Sequence, residues 1–221
     1  MALHVESWVG GPLSNNIYLL WDQESGEAVI VDPSIGSEPA LARLLELEKS
    51  GVRLQAIWNT HGHFDHIYDN ALWKEKYPVP LLMHKADDFL LEHLREQAIW
   101  FGLEAPEPAR RDTDLADVDE LRVGQYSARV LHAPGHSPGS VAFWFASENL
   151  CISGDVLFRK SVGRTDLPGA SSAELETSLR RLAELPPQTR ILPGHGAATT
   201  IEAELADNPH YLKLFKDKLP A

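Results

Sequence analysis

A chain of 221 residues is long enough for one compact domain with a sizeable core, and residues 1–221 are read as a single domain. With 43% hydrophobic and 24% charged residues and no repetitive or polar tract, the composition excludes a disordered chain. Twenty basic against 32 acidic side chains leave a net charge of −12, the opposite of a nucleic-acid footprint, and no apolar run is long enough to span a membrane. Cys151, the single cysteine, has no internal disulfide partner, and residues 1–6 lack a basic region leading into an apolar one. The expected location is therefore cytoplasmic, with no nucleic-acid or membrane partner.

In chain order, residues 16–21 and 27–31 are apolar runs separated by Ser25-Gly26, which predicts an antiparallel hairpin. Over 38–49, Leu41, Leu44, Leu45 and Glu48 are placed on one helical face, with Gly51 as the C-terminal cap. A strand at 54–58 runs straight into Asn59-Thr60-His61-Gly62-His63-Phe64-Asp65-His66-Ile67. The histidine-rich segment is thus expected in the loop beyond a strand end, opening a helix. Trp100, Phe101 and the proline-spaced stretch through Pro108 read either as a cover over a pocket or as core aromatics. The second half predicts strands at 128–132, 141–145 and 150–153, each followed by a turn holding a candidate ligand. Ser171 and Glu174 have capping-box spacing, and Leu175, Leu179 and Leu182 continue the helix at i, i+4 and i+7 until Pro186. A strand at 190–192 leads into Pro193-Gly194-His195-Gly196, and Thr199 with Glu202 opens a last helix. The pattern is α/β, with two strand-rich halves that each carry helices.

Chemistry concentrates at His61-x-His63-x-Asp65-His66, where three imidazoles and a carboxylate fall within six residues. Borderline metals favour imidazole nitrogen and carboxylate oxygen, and four such side chains nearly fill a pair of sites, so the rest must come from elsewhere. In an extended segment His61 and His63 point to the same side, whereas Asp65 and His66 begin a helical turn and aim differently. One loop can therefore feed two adjacent metals.

This segment, together with the later motifs, resembles the metallo-β-lactamase superfamily. His132-Ala133-Pro134-Gly135-His136-Ser137-Pro138-Gly139-Ser140 is similar to the stretch that supplies the family's next histidine. Ser153-Gly154-Asp155 is similar to its bridging aspartate and Pro193-Gly194-His195-Gly196 to its last histidine. The resemblance implies a four-layer αβ/βα sandwich with the metal site at one edge of the two sheets. It implies two divalent ions, zinc, iron or manganese: His61, His63 and His136 on one, Asp65, His66 and His195 on the other, and Asp155 between them. Water made acidic by the metals would supply hydroxide near neutral pH, with Asp65 a proton acceptor as well as a ligand. Many true metallo-β-lactamases resemble this chain but carry cysteine where it has Asp155. Cys151 lies four residues too early, between apolar Leu150 and Ile152, and reads as core.

The Pro134 to Ser140 and Pro193 to Gly196 stretches, with Thr199-Thr200-Ile201, resemble the glyoxalase II branch, the hydroxyacylglutathione hydrolases. That resemblance implies a small-molecule thioester substrate: S-lactoylglutathione hydrolysed to lactate and glutathione. Two departures stand out. The residues after His195 leave room for one or two short helices rather than that branch's C-terminal helical glutathione-binding domain. Gly163-Arg164-Thr165-Asp166 also replaces its Gly-Lys-Phe-Tyr-like stretch, and Asp166 cannot replace a tyrosine. The chain is more similar to short, single-domain glyoxalase II-like proteins. The same stretch resembles persulfide dioxygenases, for which His61, His136 and Asp155 would hold a single iron. Their closing Pro-Ala-His-Asp-like sequence differs from Pro193-Gly194-His195-Gly196, and the hydrolase is preferred, ahead also of a lactone or small-ester hydrolase. Arg159, Lys160 and Arg164 form a small basic group suited to a substrate carboxylate, weighed against a solvated loop with Arg164 paired to Asp166. His132 and Asp32 read either as supports for the ligands or as structural residues.

Overall fold

In strand β2 (Asn15–Asp22), Ile17, Leu19 and Trp21 alternate with Tyr18 and Leu20, and both sets are buried. A strand whose two faces are both apolar must lie between two layers. The same holds in β3 (Glu27–Val31), where Ala28 and Ile30 face one way and Val29 and Val31 the other. The computed structural model describes residues 3–104 and 106–215 and satisfies this requirement with a four-layer αβ/βα sandwich, the metallo-β-lactamase fold.

The first sheet runs in chain order: β1 (His4–Gly10), β2, β3, β4 (Arg53–Trp58), β5 (Leu81–Met83) and β6 (Thr113–Asp114). Its first two pairings are antiparallel and the others parallel. Helices α1 (Glu38–Glu48), α2 (Phe64–Ile67), α3 (Asn70–Lys76), α4 (Asp88–Glu92) and α5 (Leu94–Ile99) belong to this half. The second half begins with β7 (Glu120–Val123), β8 (Tyr126–His132), β9 (Val141–Phe145) and β10 (Leu150–Gly154). A small ribbon of β11 (Leu157–Phe158) and β12 (Ser161–Val162) follows, then α6 (Ser172–Leu182), β13 (Arg190–Pro193), β14 (Thr199–Thr200), α7 (Ile201–Asp207) and α8 (Pro209–Leu214). Its main sheet has the order β14-β13-β10-β9-β8-β7.

Three apolar layers hold these elements together. Leu20, Val31, Trp58, Phe143, Phe145 and Ile152 are among the residues packed between the sheets. Ile17, Ile30, Leu44 and Trp73 fill the layer under the first set of helices, and Ala142, Cys151, Leu179 and Tyr211 the layer under the second. The predicted hairpin forms across β2 and β3, with Gly26 at φ +73° in its turn. Ser171 caps α6 by accepting from the Glu174 N–H, and Leu175, Leu179 and Leu182 are its buried face.

Two local expectations are corrected. Helix α1 buries Ala40, Leu44 and Leu47, while Leu45 is half exposed: the small Ala40 lets the helix settle on a stripe rotated from the one its leucines suggest. The N-cap of α7 is Thr200, accepting from Ala203 N, because the Thr199 hydroxyl donates instead to Glu204 Oε1 at 2.6 Å.

Candidate metal centre

Each half contributes to one edge of the sandwich. The segment 59–66 follows the C-terminal end of β4, and His136, Asp155 and His195 follow β8, β10 and β13. All seven of these histidines and aspartates are placed together. His61, His63 and His136 form one group, Asp65, His66 and His195 a second, and Asp155 groups with His61 and His66, the ligand-capable atoms of each group lying within 4.8 Å of one another. The backbone at the seam is tight. A Cβ on Gly194 would meet Asp155 Oδ1 at 2.0 Å and His66 Cε1 at 2.7 Å, so only glycine lets the β13 loop approach so closely.

Hydrogen bonds on the outer nitrogens fix the tautomers. His136 Nδ1 donates to the Arg164 carbonyl at 2.9 Å and His195 Nδ1 to the Leu13 carbonyl at 2.9 Å. His66 Nδ1 donates to Asp32 Oδ2 at 2.9 Å. The Thr60 hydroxyl gives its one proton to the same Asp32 oxygen at 2.7 Å, so at 3.0 Å it can only accept from His61 Nδ1. These four rings therefore turn an Nε2 lone pair inward. In His63 the inward nitrogen is Nδ1, 2.9 Å from His136 Nε2.

The electrostatics match a cation. His61 Nε2 and Asp155 Oδ1 are buried without a hydrogen-bond partner. Burial, then the neighbouring imidazoles, hold the His61 pKa well below its usual range; burial and His136 bring His63 down to about 3. Both are neutral near pH 7. Burial would raise the carboxyls of Asp65 and Asp155, but His66 and His195 outweigh it and hold both low. Burial would also lower His66 and His195, yet the carboxylates push them up to about 9 and about 11. His195 Nε2 lies 3.1 Å from Asp65 Oδ2 and 3.3 Å from His66 Nε2. The protons that these rings take up are what a metal would displace, and the donor set, five imidazoles and two carboxylates, suits borderline divalent ions.

Asp32, one of the two residues left between roles, supports the site: it is buried, has φ +50°, and also accepts from Thr60 N at 2.7 Å. His132 does not touch the histidine and aspartate set. It stacks on His84 at 4.2 Å and bonds the Pro138 carbonyl at 2.9 Å, bracing the His136 loop from outside. One residue escaped the sequence reading. Asp87, fully buried, accepts from Gly62 N at 2.9 Å, Ser137 Oγ at 2.6 Å and Gly139 N at 2.6 Å, tying the His61 loop to the His136 loop. No motif marks it; its only signal is a carboxylate at the end of the short strand β5 and its following turn. Cys151 is buried among the residues under α6, where burial pushes its thiol up to about 12.

A cavity of about 570 Å³ opens over the site, lined by His63, Asp65, His136, Asp155 and His195 on its floor. Trp100 and Phe101 follow α5 and wall it, with Phe101 stacked on Phe64 at 4.6 Å, so these aromatics cover the pocket rather than fill the core. The three residues of the basic group are placed apart. Arg164 lines the cavity but is paired with Asp166 at 2.6 and 2.7 Å. Arg159 and Lys160 sit on the tight turn between β11 and β12, which carries them out of the cavity lining; Lys160 Nζ lies 3.3 Å from Asp207.

Residues 10–195 match the family described as the metallo-beta-lactamase superfamily. The chain belongs to the metallo-beta-lactamase superfamily. With that membership it is a metal-dependent hydrolase. The hydroxyacylglutathione hydrolase GloC of Haemophilus influenzae is 35% identical over 199 residues, 88% of this chain and 91% of that protein. Among solved structures, TTHA1623 in a di-iron-bound form is 40% identical, with a TM-score of 0.83 over 93% of this chain and 99% of that one. BLEG-1, described as a B3 metallo-beta-lactamase, is 33% identical, with a TM-score of 0.84 over 94% and 99%.

Proposed function

We propose that this superfamily member hydrolyses small thioesters, glutathione thioesters such as S-lactoylglutathione among them, at a dinuclear centre. In it His61, His63 and His136 hold one divalent ion, Asp65, His66 and His195 the other, and Asp155 bridges them. The observation that carries this reading is the gathering of four Nε2 atoms whose rings have their outer nitrogens hydrogen-bonded, His63 Nδ1 and two carboxylates into three adjoining groups at the base of the cavity. Two ions bound there would polarise a carbonyl and lower the pKa of water to near neutral. The protein's part is to commit the outer N–H of four rings so that their Nε2 atoms face the ions, to hold Asp65 and Asp155 ionised, and to bound the cavity with apolar walls.

The leaving group favours a thioester over an amide. A thiol has a pKa near 8.5, so a thiolate departs without a dedicated acid, whereas an amide nitrogen needs a proton. Among the described cavity residues outside the histidine and aspartate set, the polar side chains are Gln97, Trp100 and Arg164, and none is a proton donor near neutral pH. The single-iron dioxygenase reading uses His61, His136 and Asp155 alone and leaves four more converging groups, buried His63, Asp65 and His66 and the partly exposed His195, without a task. The name of the GloC relative and the two irons of TTHA1623 support the same choice.

The test measures metal per chain, then thiol release from S-lactoylglutathione and oxygen uptake with glutathione persulfide on the same preparation. Two metals with thiol release are expected, and Asp155→Ala should lose metal and activity together. Background thiol release from this and from an uncharged thioester, with two metals bound, would overturn the thioester reading. Oxygen uptake with one iron would assign the dioxygenase instead.

A further inference from the structure

The cavity over the metal centre has a composition that a glutathione conjugate does not call for. Beyond the histidine and aspartate floor its walls are mostly apolar, Leu90, Trp100, Phe101, Phe158, Val162 and Leu167 among them, with Gln97 and Arg164 the non-aromatic polar side chains among the described lining residues. Three large apolar side chains at this cavity stand open to solvent: Trp100 at 67% exposure, Phe101 at 44% and Leu13 at 40%. Apolar surface gathered at a pocket, rather than scattered, marks a place where an apolar ligand is covered.

The charges agree. Glutathione carries two carboxylates, and the basic side chain among the described cavity residues, apart from the histidines, is Arg164. Its guanidinium already holds Asp166 through two charge-assisted hydrogen bonds, while its own carbonyl anchors His136. The pair is exposed, so opening it costs little. A substrate carboxylate that took the place of Asp166 would nevertheless only exchange one carboxylate for another and gain little. Lys160 and Arg159 point elsewhere.

From this we infer that the pocket selects thioesters with an apolar acyl group on an uncharged thiol, an aryl or alkyl acyl chain lying against Trp100, Phe101 and Phe158, with Asp166 neutralising the Arg164 guanidinium that would otherwise reward an anionic thiol. This rests on the thioester reading of the site. In the reaction, oxygen from water bonds to the acyl carbon and the C–S bond breaks with its electron pair leaving on sulfur. The products are a carboxylate and a thiol, with one proton released to solvent. Glutathione thioesters are turned over, but as poorer substrates whose carboxylates stay in solvent.

The experiment compares kcat/KM of the metal-loaded protein for two thioesters: S-lactoylglutathione, anionic and hydroxylated, and S-phenylacetyl-N-acetylcysteamine, uncharged and aromatic. The second is expected to be better by roughly tenfold or more, the scale on which apolar pockets discriminate. Trp100→Ala should cut that ratio severalfold by loss on the aromatic substrate. Asp166→Asn, which frees Arg164, should cut it by gain on S-lactoylglutathione. A wild-type ratio of one or below, or a ratio that neither substitution moves, overturns the inference while leaving thioester hydrolysis standing. Hydrolysis of neither substrate with two metals bound overturns the underlying reading instead.

Discussion

Asp32 is connected to both metal groups through one oxygen. Its Oδ2 accepts from His66 Nδ1 and from the Thr60 hydroxyl, and through Thr60 it decides which nitrogen of His61 carries the proton. An Asp32→Asn change keeps the shape and reverses the polarity of that contact. With its carbonyl kept toward Thr60 N, the new amide faces His66 and Thr60 as a donor. His66 then protonates Nε2, and the Thr60 hydroxyl, now an acceptor from the amide, turns its proton to His61 with the same result. Both inward lone pairs are lost. Metal affinity should fall by roughly 10–100-fold, as for other losses of a partner behind a ligating histidine. Competition with a graded chelator would measure it, and an unchanged affinity would show that the tautomers are set elsewhere. In the sequence Asp32 was only an aspartate before Pro33, equally suited to a turn, because what decides its role is the arrival of Thr60 and His66 from 28 and 34 residues away. His61, His63, Asp65 and His66 were legible as a group since their chemistry is local and dense.

Between elements, the two loops that carry His61, His63 and His136 are fastened by Asp87, on the turn between β5 and α4. Asp87→Asn places an amide N–H₂ against Gly62 N–H and Ser137 or against Gly139 N–H, leaving a buried donor facing a donor. Such a contact costs about 1–3 kcal/mol, and it acts where the His61 and His136 loops meet, away from Asp65, His66 and His195. The expected outcome is a folded protein that retains one metal per chain where the parent holds two, read by elemental analysis after dialysis. Retention of both would mean the loops keep their places without the clamp. This clamp was invisible in the sequence for the same reason that β5 and β6 were: strands of three and two residues have no periodicity to detect, and they exist because β4 pairs with Leu81 and Leu82 and β5 in turn with Thr113 and Asp114. Elements with their own local signals, the β2–β3 hairpin and the Ser171-capped helix α6, were plain. Helix α1 shows the intermediate case, where leucine spacing found the helix but Ala40, contributing little to an apolar count, centres its buried face.

On the scale of the whole molecule, the proposed ion sets span the two halves of the sandwich. One ion draws on His61 and His63 after β4 of the first sheet and on His136 after β8 of the second. The other draws on Asp65 and His66 from the first half and on His195 from the second. The halves already share the apolar layer between the sheets and the seam where Asn16 Nδ2 donates to the Pro193 and Gly196 carbonyls and the Tyr18 hydroxyl to Pro193. Ions bound only by the closed arrangement add to that by mass action. At a hundredfold excess over the dissociation constant each contributes about 2.7 kcal/mol. For a chain of this size 1 kcal/mol moves the melting temperature by about 2–4 °C. Two sites should therefore raise Tm by roughly 10–20 °C over a chelated sample, with a shift that grows with free metal and is reversed by chelator. Calorimetry at several metal concentrations checks this. A Tm indifferent to metal would mean that the ions do not join the halves. A shift of half the size with one ion bound would instead leave the second site as a place filled only during catalysis.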